Sequence, residues 1–178
     1  MKHLIKLLTL HFQLSTQKGF TLVEVMVVLG IIGILASATL ISLNPIAQIN
    51  KSKDAKRKAE LSEMKKALQL YYADNGKYPD DSDYKILPAG GTTPLNWGET
   101  WAPYIQLLPK DPKTTHTYIY ISPDADNQTY LIYANLEQGA NDPQTCNNGS
   151  GTSCPNAPSG NLCGAVCNYG VSSPNTSP

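Results

Sequence analysis

The stretch KGFTLVEVMVVLGIIGILAS, residues 18–37, decides the fold. From Phe20 to Leu43 the chain carries one ionisable side chain, Glu24, and the run is long enough to span a bilayer, which takes about 20 apolar residues. A charge at mid-bilayer costs about 2.5–3.5 kcal/mol on insertion scales. A carboxylate kept there needs an opposite charge in the same low-dielectric place. No Lys or Arg lies between Lys18 and Lys51.

Working outward, residues 1–19 hold Lys2, Lys6 and Lys18 and no acid, which is the form of an export n-region. Gly30 and Gly33 weaken a helix in water but let packed apolar helices approach closely. Asn44-Pro45 ends or kinks the run, because proline has no amide donor and clashes with the preceding turn. Residues 46–75 predict a second helical stretch. Leu61, Met64, Leu68 and Tyr71 fall at three- and four-residue steps, flanked by Ala67 and Tyr72, with lysines and glutamates on the other face. Asn75-Gly76 reads as its stop. A continuous helix over 20–74 would be about 80 Å long, too long for a head of about 100 residues to bury. Its first half must bury in lipid or in other copies.

Residues 77–114 contain six prolines and read as irregular, with Trp97, Trp101, Tyr104 and Leu107 pinning them to the helix. Two alternating runs, 115–122 and 129–136, predict strands joined by a loop of hairpin length, and some of their tyrosines are candidates for an adhesive surface. The tail, 137–178, lacks periodicity and holds Cys146, Cys154, Cys163 and Cys167. An even count confined to one Gly/Ser/Asn-rich region predicts two disulfides in an oxidising compartment, with three pairings open. Gaps of seven, eight and three residues do not match a zinc ribbon.

The 14 basic and 14 acidic residues balance, so no strong basic field favours nucleic acid as a partner. The basic run KSKDAKRK, 51–58, reads as a solvated helix face, with subunit charge pairing or lipid headgroups as the functional alternative. Outside the membrane it runs against the positive-inside tendency. An enzyme is not expected. His3 and His11 precede the apolar run, leaving His116, and no nucleophile–base pair, phosphate loop or metal triad is present. Asp124, Asp126 and Asn127 offer oxygens that suit calcium, but without the glycine and distal glutamate of an EF-hand. Ala36-Ser37-Ala38 suggests an alternative: a conventional signal cut after Ala38, leaving a secreted or anchored binding domain with no filament role. The apolar run continues through Leu40 and Ile41, and Glu24 would sit inside the signal core, which both oppose it.

The segment GFTLVEVMVVLGIIGIL resembles the class III signal of type IV pilins and type II secretion pseudopilins. ALQLYYADNGKYP, 67–79, is similar to the end of the long helix in pilin-like proteins, major pseudopilins especially. The resemblance implies a leader, 1–19, cut by a prepilin peptidase between Gly19 and Phe20, with Phe20 then N-methylated. It implies that Glu24 pairs with the Phe20 amine of a neighbouring copy and so sets axial register; a contact with the amine of its own chain is the competing geometry. The implied fold is α+β: a membrane and filament-core helix (20–45), its amphipathic continuation (46–76), a loop with antiparallel strands (77–136) and a cysteine-tied irregular tail (137–178). The expected partners are copies of itself and related pilins in a helical filament, the peptidase, an inner-membrane assembly platform and lipid. The expected location is a single pass of the bacterial inner membrane with the head outside, followed by an extracellular pilus or a periplasmic pseudopilus. ADNGKYP leans to the pseudopilus and the cysteine tail to the pilus. No cofactor is expected except calcium, for which the major pseudopilins' C-terminal loop has its nearest counterpart in EQGAND, with Glu137, Asn141 and Asp142.

Overall fold

The computed structural model describes residues 19–42 and 44–178; the expected leader, 1–19, lies outside the described residues apart from Gly19. The chain divides into two units, Met1–Asn44 and Pro45–Pro178.

The first unit contributes helix α1, Leu22–Ser42. Thr21 caps it: its hydroxyl oxygen accepts the Glu24 N–H at 3.2 Å, and its carbonyl accepts the Val25 N–H. Near the far end, the Ser37 and Thr39 hydroxyls donate to the carbonyls of Ile34 and Ala36, both at 2.8 Å. These back-bonds satisfy the Ser37 and Thr39 hydroxyl hydrogens in an otherwise greasy helix. The helical stretch is two helices rather than one: α1 ends at Ser42, Asn44 is left-handed with φ 39°, and Pro45 opens α2.

The second unit is the head. Helix α2, Pro45–Asn75, stops where Gly76 takes φ 70° and its N–H bonds the Tyr72 carbonyl. Leu61, Met64, Ala67, Leu68 and Tyr71 are buried, as the periodicity predicts. Their partner is a three-stranded antiparallel sheet in the order β3 (Ile119–Ile121), β4 (Leu131–Ala134), β5 (Tyr169–Ser172). Alternate side chains, Tyr118, Tyr120, Tyr130, Ile132 and Ala134, join the helix stripe in one core. Ile119, Leu131 and Tyr133 face the other way and pack with Cys154, Cys163 and Cys167.

Three expectations are corrected here. The tail is not merely stapled: residues 169–172 form the third strand, with Ile132 opposite Val171, and the cysteine loops cover the second face of the sheet. The stretch after α2 is not all irregular. Strands β1 (Asp80–Ser82) and β2 (Lys85–Leu87) form a hairpin whose turn residues, Asp83 and Tyr84, have φ 52° and 58°, the primed geometry that matches strand twist. Of the four expected loop anchors, Trp101 is buried beside Tyr71 and Tyr104, and Trp97 meets Tyr118 edge-on. Leu107 instead points to solvent and its neighbour Leu108 takes the buried place.

Candidate assembly helix and the charged seam of the head

Between Leu22 and Leu35 every large apolar side chain of α1 is 45–72% exposed, and Phe20 is 81% exposed. A helix of this length and composition is suited to crossing a membrane, and none of its apolar window is buried within the molecule. About 32 Å of helix therefore presents hydrocarbon on all sides and requires lipid or like helices. Glu24 is exposed in the first turn. Sequence reading missed a local reason for it. Thr21-Leu22-Val23-Glu24 has the S/T-x-x-E form of a capping box, and an acid in the first turn is favoured by the partial positive charge of the helix start.

The head holds a site that the sequence reading placed in solvent. Within the basic run, Asp54 and Arg57 are 3% and 0% exposed. Arg57 donates from Nε and Nη2 to the two carboxylate oxygens of Asp111 at 2.8 and 2.9 Å, and from Nη1 to Asp54 at 2.7 Å. Burial works against the guanidinium charge, but the hydrogen bonds and charges of Asp111 and Asp54 outweigh it and hold Arg57 firmly protonated. Glu137 reaches Arg57 at 3.4 Å and Lys113 at 3.6 Å. The arrangement ties α2 to the loop before β3 and to the end of β4. Next to it the Tyr118 hydroxyl donates to Glu60, and burial together with that carboxylate pushes the phenol up. The solvated-face reading thus holds for Lys51 and Lys56 but fails for Asp54 and Arg57.

The calcium candidates are dispersed. Asp124 and Asp126 are exposed in the β3–β4 loop, where Asp124 accepts the Thr129 hydroxyl and the Asp124 carbonyl accepts the Asn127 N–H. Asn141 closes the short 3-10 turn Gly139–Asn141 and is exposed. Asp142 meets Lys58 Nζ at 2.5 Å. Burial pushes the Asp142 carboxyl up, but the hydrogen bonds from Lys58 and the Gln144 N–H prevail and hold it below the usual carboxylate range. Among the described residues no three His, Cys, Asp or Glu side chains converge as a metal would require. The cysteines form Cys146–Cys154 and Cys163–Cys167, one of the three open pairings. Tyr118, Tyr120, Tyr130 and Tyr133 lie on the packed faces of the sheet, as the alternation predicts, and all are buried, so none is available for an adhesive surface.

Comparison with known proteins matches residues 44–149 to the family described as Type II secretion system (T2SS), protein G. Residues 14–40 match the prokaryotic N-terminal methylation motif, so the conventional signal cut after Ala38 gives way to prepilin processing. Type II secretion system core protein G of Pseudomonas aeruginosa is 32% identical over 136 residues, covering 73% of this chain and 92% of that protein. The proteins of the same description from Vibrio cholerae and Escherichia coli K12 are 37% and 34% identical, over 62% and 66% of this chain and 75% and 81% of their own lengths. No solved structure matches. With the exposed apolar helix behind a Gly-Phe junction and the α2-on-sheet head, these matches settle the choice between pilus and secretion readings that the sequence left open: the chain belongs to the type II secretion system protein G family.

Proposed function

We propose that this protein is the repeating subunit of a type II secretion pseudopilus. The chain is cut between Gly19 and Phe20, Phe20 is methylated, and α1 stores the subunit in the inner membrane with the head on the periplasmic side. An assembly platform in that membrane then adds it to copies of itself and to related subunits. The contact is heterologous and open-ended, the symmetry that produces fibres. Glu24 takes the Phe20 amine of a neighbour and fixes the axial step of helices that would otherwise slide. The observation that carries this reading is the 21-residue helix whose apolar surface is exposed on every side while its first turn holds the lone carboxylate. The role is structural rather than catalytic. Mass spectrometry of purified filaments tests it: the expected N-terminal peptide begins with methylated Phe20, and a chain beginning at Thr39 would return the conventional-signal reading.

A further inference from the structure

The loop 137–145 is gripped from α2 by two side chains one helical turn apart. At its start, Asp54 accepts the N–H groups of Glu137 and Gln138 at 2.9 and 2.8 Å. One turn on, Lys58 Nζ donates to Asp142 Oδ2 at 2.5 Å and to Gln144 Oε1 at 2.7 Å, with the Tyr169 ring centroid 5.7 Å away. The other Asp142 oxygen accepts the Gln144 N–H, and the Thr145 hydroxyl lies within hydrogen-bond distance of the Gly139 and Asp142 carbonyls. The Cys146–Cys154 disulfide follows directly. The α2 face therefore offers an anion to the donor end of the loop and a cation to its oxygen end.

Calcium binds through six to eight oxygens gathered around one point. Here the oxygens of Asp142 and Gln144 already surround an ammonium, and Glu137 is directed at Arg57 and Lys113. The hollow beside the loop, about 140 Å³, is lined by Lys51, Asp54, Ala55, Lys58, Gln138 and Asp142; its two cations balance its two carboxylates, and both carboxylates are already engaged, Asp54 by Arg57 and the loop N–H groups and Asp142 by Lys58. The calcium loop that the family resemblance implies does not fit these residues.

We propose that Lys58 is the resident cation of this loop, a side chain standing where a divalent ion would otherwise gather the oxygens, so that the shape of the head at 137–146 is independent of calcium. The claim concerns the head alone and goes beyond the assembly reading. It stands or falls whether or not filaments form.

The test uses the full mature chain in detergent micelles, with hydrogen exchange read on peptides covering 137–146 and with melting followed in millimolar calcium and in EDTA. Wild type is expected to give the same melting temperature and the same exchange in both buffers, and no heat on calcium titration. Lys58→Met is expected to speed exchange of the loop amides by about tenfold or more in both buffers, since local opening sets that rate, while Lys58→Arg retains most of the protection. Calcium-dependent heat with slowed loop exchange in wild type would overturn the proposal without need of any variant. So would a Lys58→Met loop that exchanges as slowly as wild type.

Discussion

Arg57 and Asp111 form a two-point pair with no solvent access to either side chain, although 54 residues separate them in sequence. Removing one member of such a pair leaves the other charge buried and uncompensated, a loss of about 3–5 kcal/mol. Arg57→Met is therefore expected to lower the unfolding free energy of the head by that amount, read as a fall in its denaturant midpoint. Lys56→Met, one position earlier, exposed and paired with Glu60 at 3.7 Å, should cost under about 1 kcal/mol. Equal effects in chemical denaturation would remove the distinction drawn between the buried and solvated parts of the basic run.

The two reasons for Glu24 separate experimentally. As a first-turn acid it contributes about 0.3–1 kcal/mol to helix α1, too little to decide assembly. As the proposed partner of a neighbouring amine it would be indispensable. Glu24→Gln keeps the size and loses the charge, so it should be processed and inserted normally yet form no filaments by electron microscopy. Thr21→Val removes the cap, worth about 1 kcal/mol, and should still form them.

Leu107 and Leu108 make a paired test of the loop over α2. Leu108 is 1% exposed and Leu107 57%. Leu108→Ala should cost about 2–5 kcal/mol by cavity formation. Leu107→Ser should be close to neutral in the same melting experiment, within about 0.5 kcal/mol.

Alkali should reveal the buried phenols. Tyr118, Tyr120 and Tyr130 are raised well above the ordinary tyrosine value, and Tyr133 is pushed up to about 12, with burial the leading cause for each. A folded value above the unfolded one for a group that is neutral when protonated gives stability that is full below pH about 10 and lost as pH rises through the folded values. Absorbance of phenolate should thus fall short of ten free tyrosines just above pH 10, and the remainder should appear together with unfolding. Ten phenols titrating as one class would contradict the packing.

Most of the fold was legible because two periodicities are strong. The three–four step of Leu61, Met64, Leu68 and Tyr71 gave the buried face of α2, and alternation over 115–122 and 129–136 gave β3 and β4. The same stripe, carried back by four and then three residues, lands on Arg57 and Asp54. Lysine-rich surroundings hid it, since a charge on a buried face signals itself only through partners distant in sequence. Strand β5 was not legible for a similar reason. Tyr169-Gly170-Val171-Ser172 is short and weakly alternating, and its place is set by pairing with β4. The Asp83-Tyr84 turn lacks the Asn-Gly or Asp-Gly signal that usually marks such hairpins. For Glu24 the reverse holds. Its chemistry is legible from the sequence, and the partner proposed for it lies on another molecule.

Because β5 reaches β4 only across the intervening cysteine loops, the edge of the sheet stays unfinished until residues 169–172 pair with Leu131–Ala134. Until then β4 has an open edge and a bare apolar face, the kind of surface that recruits stray strands. A chain lacking Tyr169–Ser172 would keep α1 and α2 yet leave that strand edge unpaired, so the last strand decides whether the head is a closed surface or an adhesive one.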